Sequence, residues 1–247
     1  MAEKDSLIVI PARMAATRLP GKPLALINNE PMIVHVWKKA CQSEAGPVIV
    51  ACGDIEIKET IEKYGGEAIL TDPDLPSGSD RVWSATQIYD PEGKFNIIVN
   101  VQGDQPTLDP AHISRTVDAL KDSGSSMSTL ITPIHNQNEI NDPSVIKVAI
   151  DFQENSKVAH ALYFSRNPIP HGEGPIYHHV GIYGFTRSSL KKFVSIKPSE
   201  LEKREKLEQL RALTNGLTIS AYLVDHSPPS VDTPEDLERV KMILRNN

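Results

Sequence analysis

The sequence predicts an α/β fold with a mixed central sheet and an inserted β-rich subdomain. In the first half of the chain, short apolar runs alternate with segments whose apolar residues recur at helical spacing, which is typical of βα units around a buried parallel sheet. In the second half, strand-like runs are separated by clusters of Asn, Asp and Pro, which favours antiparallel or mixed strands. The 247 residues suit one domain, since single cores stop growing at roughly 250–300 residues. We therefore expect one domain over residues 1–247, with the inserted subdomain around residues 135–200.

The first half is predicted to contain strands and helices in alternation. Apolar, β-branched runs predict strands at residues 7–10, 48–51, 68–70 and 97–101. The first helix is predicted to begin at Pro31, because proline suits the first helical position and an apolar stripe at helical spacing follows it. Similar stripes predict helices at residues 55–64, 81–89 and 111–121.

The second half is predicted to be richer in strands. The same reasoning predicts strands at residues 128–134, 145–151, 158–164 and 218–224. Residues 167–179 hold three Pro and two Gly, which predicts a long ordered loop. One helix is predicted at residues 198–215, where Gly216 suits a C-terminal stop, and another at residues 234–245.

The charge and cysteine content argue against several classes of protein. Lys and Arg number 26 against 32 Asp and Glu, a net charge of −6, so the field of the whole molecule repels nucleic acid and anionic lipid. Cys41 and Cys52 lie in apolar segments without C-x-x-C spacing, which predicts reduced, buried thiols rather than a disulfide framework or a zinc ribbon. The first apolar run stops at Pro11, too short for a signal segment or a membrane span. We expect a cytoplasmic protein with neither a nucleic-acid nor a membrane partner.

The most informative segment, which we call the cation loop, covers residues 11–24 directly after the first predicted strand. It carries three cations, Arg13, Arg18 and Lys22, together with the Thr17 hydroxyl and Gly21. A loop at the carboxyl end of a parallel strand lies where open α/β sheets bind ligands, and this composition suits a polyphosphate. A proline follows the lysine, and no G-x-G-x-x-G is present, so neither an ATPase P-loop nor an NAD site is indicated.

Two isolated aspartates add a candidate metal site. Asp104 follows the predicted strand 97–101 and a glycine, so its carboxylate is expected to project from the end of the strand. Thr233 makes a good N-cap and Pro234 a good first helical residue, which leaves the carboxylate of Asp232 free for other work. Mg²⁺ binds one or two carboxylates and completes its coordination with phosphate oxygens and water.

Seven ordered motifs, spread over nearly the whole chain, resemble those of the bacterial 3-deoxy-manno-octulosonate (Kdo) cytidylyltransferases, also called CMP-Kdo synthetases. They are RMAATRLPGKPL at 13–24, LPSGSDR at 75–81, VNVQGDQP at 99–106, YFSRNPIP at 163–170, HVGIYGF at 179–185, LEQLR at 207–211 and VDTPEDL at 231–237. The resemblance implies a Rossmann-like, GT-A nucleotide-diphospho-sugar transferase fold and a homodimer. It also implies transfer of the cytidylyl group of CTP to the anomeric hydroxyl of Kdo, giving CMP-Kdo and pyrophosphate for lipopolysaccharide synthesis.

The resemblance also assigns roles to individual residues. It implies Asp104 and Asp232 as ligands of Mg²⁺, and Arg13 and Lys22, helped by Arg18, as the partners of the triphosphate. The nucleotide base is assigned to Ala51, Asp54, Ser77, Gly78 and Ser79. The chain departs from the family pattern here, because Cys52-Gly53 stands where Thr-Asp is common. The acidic sugar is assigned to Gln102, Arg166, His179, Tyr183, Glu208 and Gln209.

Two alternatives to this function remain open at the level of sequence. A small change in the pocket could redirect transfer to another acidic sugar, such as 8-amino-Kdo or a sialic acid. The chain could also be a nucleotide-binding regulator without turnover, although a pure sensor has no need of paired metal-binding carboxylates. A zinc site at His171, His178 and His179 is disfavoured, since adjacent residues of a strand point to opposite faces.

Overall fold

The computed structural model describes residues 5–15 and 18–245, so Thr17 of the cation loop lies outside the described residues. Residue contacts divide the chain into two compact units. Unit 1 holds the described residues up to 114 and those from 228 onward, and unit 2 holds residues 115–227. The predicted inserted subdomain, residues 135–200, falls inside unit 2, and the assignment of the whole chain to one domain stays a prediction.

The described residues form an α/β fold, as predicted. The strands are β1 (Ser6–Ala12), β2 (Leu26–Ile27), β3 (Glu30–Pro31), β4 (Val48–Cys52), β5 (Glu67–Leu70), β6 (Ile97–Asn100), β7 (Met127–Pro133), β8 (Lys147–Ile150), β9 (Val158–Ser165), β10 (Tyr177–Thr186) and β11 (Ile219–Leu223). The helices are α1 (Met32–Cys41), α2 (Ile55–Lys63), α3 (Gly78–Tyr89), α4 (Pro110–Ser123), α5 (Gln137–Asn141), α6 (Arg187–Ser195), α7 (Glu200–Glu205), α8 (Leu210–Thr214) and α9 (Pro234–Arg245).

Unit 1 contains a parallel sheet in the order β5-β4-β1-β6. Strands β1, β4 and β6 are largely buried because they consist mostly of aliphatic residues covered on both faces, and residues 7–10 of β1 have no exposed surface. The edge strand β5 is more exposed. Pro11 and Ala12 pair with Ala51 and Cys52 of β4. The loops that follow these two strands therefore leave the sheet at the same edge.

Unit 2 has mixed strands in the order β10-β7-β11-β9-β8, as the Asn, Asp and Pro clusters predict. Strands β7 and β11 are parallel, whereas β10 and β7, β11 and β9, and β8 and β9 are antiparallel. Two short helices, α5 and α6, were not predicted. Among the described residues, no helix has both the length and the apolar character that a membrane span requires.

Three expectations about unit 2 and the thiols are corrected. The helix predicted at 198–215 is broken, because Lys206 adopts the left-handed conformation (φ 56°) and ends α7. The predicted loop at 167–179 ends earlier, since β10 begins at Tyr177 and places His178 and His179 on a strand. Cys52 is buried as expected, but Cys41 is exposed because it lies on the outer side of the last turn of α1.

Candidate active site

The described part of the cation loop folds back on itself after β1. The backbone N–H of Gly21 donates to the carbonyl of Met14 at 3.3 Å, and that of Lys22 donates to Leu19 at 3.1 Å. Gly21 has a φ of +69°, a left-handed conformation that favours glycine. A 3₁₀ turn at Lys22–Leu24 follows, with Pro23 buried. This turn returns the chain to the end of β1.

Lys22 joins the two aspartates that the sequence analysis singled out. Its Nζ lies 2.7 Å from Oδ2 of Asp104 and 3.2 Å from Oδ1 of Asp232. Lys22 and Asp232 are 210 residues apart in the sequence. The guanidinium of Arg18 also reaches Asp232 at 3.0 Å, but this side chain is 66% exposed, so the pair contributes little to stability. The two carboxylates therefore converge on one partly buried cation.

Local backbone contacts explain why Asp104 projects toward the cation loop. It follows β6 after Gly103, where an added Cβ would lie 2.8 Å from the carbonyl oxygen of Pro11. Only glycine allows this close approach between the two strand ends. The carbonyl of Asp104 accepts a hydrogen bond from the N–H of Val231 at 2.9 Å, which places Asp232 beside it.

The start of α9 leaves the carboxylate of Asp232 unused by the helix, as predicted. The Thr233 hydroxyl accepts from the N–H of Asp236 at 3.2 Å. In return, Oδ2 of Asp236 accepts from the N–H groups of Thr233 and Asp232. These reciprocal bonds cap the helix. An apolar cluster of Ile27, Met32, Val231 and Val240, with Leu19 of the cation loop packed against it, anchors this segment in unit 1.

The electrostatic environment keeps Lys22 charged. Burial lowers the pKa of its ammonium group, but the carboxylates of Asp104 and Asp232 outweigh this effect, so the pKa is raised above its ordinary value of 10.5. Lys22 is therefore a permanent cation at physiological pH.

A cavity of about 750 Å³ lies at this edge of unit 1, within the size range of small-molecule sites. Its lining includes the three cations of the cation loop, Gln102 and both aspartates: Arg13, Arg18, Lys22, Gln102, Asp104 and Asp232. The structure thus brings together every unit 1 residue that the sequence analysis assigned to the triphosphate or the metal.

The residues assigned to the base lie at the ends of neighbouring elements. Ala51 is buried in β4. The Ser77 hydroxyl caps α3 by accepting from the N–H of Asp80 at 3.2 Å and donating to its carboxylate at 2.7 Å. An added Cβ at Gly78 would make only ordinary contact with the Pro11 ring, at 3.6 Å, and Ser79 is buried. The protein's own packing does not demand glycine at position 78, and contact of these residues with a base stays a prediction.

Arg81 lies near this group, and the sequence predicted no structural or binding role for it beyond its place in the motif at 75–81. It is only 2% exposed. Its Nη1 donates to Oγ1 of Thr71 at 2.6 Å and to the carbonyl of Asp72 at 3.0 Å. An added Cβ at Gly53 would lie 2.8 Å from the same nitrogen. The departure from the family pattern at Gly53 thus leaves room for a buried guanidinium.

The other five residues assigned to the acidic sugar lie in unit 2. His179 and Tyr183 are neighbours on β10, with ring centroids 5.3 Å apart. Burial, with the charge of Glu208, raises the pKa of Tyr183. Gln209 is 4% exposed, and its Nε2 has no hydrogen-bond partner among the described residues. A buried amide left unpaired by the protein is well suited to a polar ligand.

The break between α7 and α8 is held by a buried ion pair. Arg211 donates to Glu202 through Nη2 at 2.6 Å and through Nε at 2.9 Å. Glu202 also accepts from the N–H of Ser199 and forms a capping box at the start of α7. The segment with Glu208 and Gln209 is therefore fixed at both ends, where sequence periodicity predicted one continuous helix.

The guanidinium of Arg166 is held in place by backbone carbonyl groups. Its Nε donates to the carbonyl of Glu205 at 2.6 Å and its Nη1 to that of Pro143 at 2.7 Å, while Nη2 lies 3.5 Å from the carbonyl of Lys206. These contacts use three of the five N–H groups of a guanidinium. The side chain is locked against the turn that ends α7, and its role toward the sugar stays a prediction.

The stability of the protein is expected to fall below about pH 6.5, partly through His179. Burial, helped by the charge of His178, lowers the pKa of His179 from 6.5 to about 3. Between pH 6.5 and about 3, the unfolded chain binds a proton at His179 that the folded protein does not. The free energy of unfolding therefore decreases as the pH decreases, by about 1.4 kcal/mol per pH unit at most.

Urea unfolding at several pH values from about 6.5 to about 4.5 tests this expectation. A His179→Gln variant should lose less stability over this range than the wild type. The exposed His171→Gln variant is the matched control and should follow the wild-type curve. Equal pH dependence in the wild type and the His179→Gln variant would show that His179 does not contribute.

The chain is similar to several known proteins. The profile of the cytidylyltransferase family matches residues 7–219. A 3-deoxy-manno-octulosonate cytidylyltransferase from Paramagnetospirillum magneticum is 53% identical over 99% of this chain and 100% of its own length. The one from Parvibaculum lavamentivorans is 54% identical over 96% of this chain and 92% of its own.

Solved structures are similar as well. CMP:2-keto-3-deoxy-manno-octonic acid synthetase in complex with CTP superposes with a TM-score of 0.89 at 35% identity, over 98% of both chains. A cytidylyltransferase from Leptospira borgpetersenii has a TM-score of 0.63 at 19% identity, over 99% of this chain and 88% of its own. The second likeness concerns the fold alone.

Proposed function

The chain belongs to the 3-deoxy-manno-octulosonate cytidylyltransferase family, and from this premise we propose how its residues carry out the reaction. The protein is a nucleotidyltransferase that forms CMP-Kdo from CTP and Kdo. The observation that carries the assignment of the site is the convergence of Lys22, Asp104 and Asp232 on the unit 1 cavity.

The cation loop holds the triphosphate. Arg13 and Lys22 line the cavity, and Lys22 is charged at physiological pH. Fixed positive charge offsets the negative charge that builds up as pyrophosphate departs. Arg18, which is largely exposed, adds charge at the entrance. The anomeric hydroxyl of Kdo attacks the α-phosphorus in line, and catalysis consists of positioning and electrostatic stabilisation without a covalent enzyme intermediate.

Asp104 and Asp232 fit a magnesium ion. Two carboxylates already converge on one cation, the Lys22 ammonium, and oxygen ligands are those that Mg²⁺ prefers. When bound, Mg²⁺ neutralises charge on the phosphate oxygens. In this structure the Lys22 ammonium contacts both carboxylates. A bound triphosphate would offer Lys22 new anionic partners. Asp104 and Asp232 would then be free of the ammonium and able to bind the metal.

The acidic sugar is assigned to Gln102 of unit 1 and to Arg166, His179, Tyr183, Glu208 and Gln209 of unit 2. His179, with its pKa lowered to about 3, is neutral, and Tyr183, with its pKa raised, keeps its proton. These two side chains therefore serve as hydrogen-bonding partners for hydroxyl groups. The positive charge for the sugar carboxylate comes from Arg166, whose two remaining N–H groups match two carboxylate oxygens.

The homodimer rests on the family resemblance alone, and the cytoplasmic location rests on the sequence patterns described above; both remain part of the proposal. The molecular mass in solution, measured by light scattering, tests the dimer.

The reaction is tested by pyrophosphate release with four nucleoside triphosphates, each combined with Kdo, 8-amino-Kdo and a sialic acid in the presence of Mg²⁺. The expected result is fastest release with CTP and Kdo. Faster release with another acid would reassign the acceptor. Absence of release with every combination would favour a nucleotide-binding regulator.

An Arg166→Ala variant is expected to bind Kdo roughly tenfold to a hundredfold more weakly and to keep its affinity for CTP. The reason is that a charge-assisted hydrogen bond to a carboxylate is worth about 1.5–3 kcal/mol. Calorimetric titration of each ligand checks the difference. Arg204→Ala, at an exposed position of α7, is the control and should change neither affinity. An equal loss of affinity for both ligands in Arg166→Ala would make Arg166 purely structural.

A further inference from the structure

The backbone of one residue, Met14, closes the neck of the cation loop. The N–H of Met14 donates to Oδ2 of Asp54 at 2.8 Å, and the carbonyl of Met14 accepts from the N–H of Gly21 at 3.3 Å. The residues next to Met14 and Gly21 are Arg13 and Lys22, and both line the unit 1 cavity. Whatever holds Met14 in place therefore sets the position of both cations.

Asp54 holds Met14 although its own helix would ordinarily use this side chain. Asp54 occupies the N-cap position of α2 with extended backbone angles, φ −130° and ψ 139°. An aspartate at this position usually accepts from an N–H of the first helical turn. Its carboxylate makes no such bond to the first turn of α2, all of which the structure describes. The side chain is directed instead to a loop 40 residues away in the sequence.

The backbone beside Asp54 is itself anchored. The N–H of Gly53 donates to the carbonyl of Ala12 at 3.1 Å, which ties the turn after β4 to the end of β1. The Arg81 guanidinium packs so closely against Gly53 that any side chain at position 53 would displace it. The Asp54 carboxylate thus reaches Met14 from a turn that is hydrogen-bonded to the end of β1.

The charge of Asp54 also counteracts repulsion between two arginines. Burial lowers the pKa of Arg81, and the nearby charge of Arg13 lowers it further, whereas Asp54 acts in the opposite direction. The Arg81 guanidinium donates hydrogen bonds to neutral oxygens, including the carbonyl of Pro73 at 3.1 Å. The negative charge of Asp54 therefore offsets the repulsion between Arg13 and Arg81 and favours a position of the cation loop that brings Arg13 close.

We propose that Asp54 is a positioning residue, which clamps the neck of the cation loop so that Arg13 and Lys22 meet the triphosphate in a fixed arrangement. This role replaces direct contact with the base as the main task of Asp54. It rests on the proposed function in one respect, namely that the ligand of the cation loop is CTP.

The test compares Asp54→Ala and Asp54→Asn with the wild type. Asp54→Ala is expected to weaken CTP binding by roughly tenfold to a hundredfold, because a charge-assisted hydrogen bond at the neck is lost. Asp54→Asn keeps an acceptor for the Met14 N–H without the charge, and should restore affinity to within about tenfold of the wild type. The affinity for Kdo should stay unchanged in both. Titration calorimetry supplies these constants, and steady-state kinetics should show the larger effect in the KM for CTP.

Hydrogen exchange at the Met14 amide gives a second readout that does not depend on the reaction. Exchange should accelerate in Asp54→Ala and much less in Asp54→Asn. The matched control is Asp5→Ala, because Asp5 accepts from the N–H of Asn96 at 3.1 Å, just before β1 and at the other end of that strand. It should leave both CTP binding and Met14 exchange as in the wild type.

The outcomes distinguish a failure of the positioning role of Asp54 from a failure of the proposed function. Unchanged CTP affinity in Asp54→Ala, with or without a loss of thermal stability, overturns the positioning role. Equal weakening in Asp5→Ala also overturns it, since the effect would then be general destabilisation. A wild-type protein that binds no CTP refutes the proposed function instead, while faster exchange at Met14 in Asp54→Ala alone would still support the clamp.

Discussion

An Asp104→Asn variant is expected to fold normally and to lose at least a hundredfold in turnover. Asparagine has nearly the same shape, so packing at the end of β6 is preserved, while one of the two carboxylate charges proposed to bind the metal disappears. Metal-assisted charge stabilisation is worth several kcal/mol, and each 1.4 kcal/mol corresponds to a factor of ten in rate. The lost ion pair with Lys22, whose partners are 18% and 25% exposed, costs only about 1 kcal/mol of stability.

Pyrophosphate release and thermal unfolding, measured on the same samples, check this expectation. Asp118→Asn is the matched control, because it removes the same charge from a half-exposed pair with Arg115 on α4. It should keep wild-type activity. Turnover in Asp104→Asn within a few-fold of the wild type would remove Asp104 from the metal site. A large loss of thermal stability would instead assign the residue to the fold.

A Lys22→Met variant is expected to lose turnover and, in the absence of nucleotide, to bind Mg²⁺ more tightly than the wild type. In the wild-type protein the ammonium lies between Asp104 and Asp232, so a metal ion has to displace it. Without Lys22, Asp104 loses this ion pair and Asp232 keeps its contact with the largely exposed Arg18. A divalent cation then stabilises the folded state through preferential binding.

Thermal unfolding over a series of Mg²⁺ concentrations, without CTP, measures this effect. The melting temperature of Lys22→Met should start below that of the wild type and rise more steeply with Mg²⁺. Lys38→Met, which removes a surface partner of Glu30, is the control and should show the wild-type response. The same Mg²⁺ dependence in Lys22→Met and the wild type would mean that Asp104 and Asp232 do not form the metal site.

The two variants test one arrangement from opposite sides. Asp104→Asn removes a ligand and leaves the competing cation, whereas Lys22→Met removes the competitor and leaves both ligands. The metal affinity of the nucleotide-free protein should therefore move in opposite directions. General damage to the cavity would lower it in both.

Sequence patterns predicted best what depends on near neighbours in the chain. The aliphatic residues 7–10 became the buried centre of β1. Pro234 begins α9, and the Thr233 cap leaves Asp232 unused by the helix. In each case the deciding interaction lies within a few residues, so periodicity and capping preferences were sufficient.

The failures have a common physical origin in contacts between distant residues. The helix expected at 198–215 breaks because Glu202 binds Arg211 and Lys206 turns left-handed. Its apolar stripe resembles that of one continuous helix, and no local pattern reveals the competing ion pair. Residues 177–179 join β10 through pairing with β7 and β8, which outweighs the local preference for a loop.

The amino-acid pattern alone was enough to predict the alternating elements of unit 1, the mixed strands of unit 2 and the residue types available for phosphate and metal binding. Which of those residues are in contact depends on the folded chain: Lys22 bridges two aspartates, Asp54 holds Met14, and backbone carbonyls bind three N–H groups of Arg166. Local structure follows from side-chain periodicity and backbone preferences over a few residues. Partner choice among polar groups depends on which segments the core brings together, since each buried donor or acceptor pairs with whatever lies within about 3 Å of it.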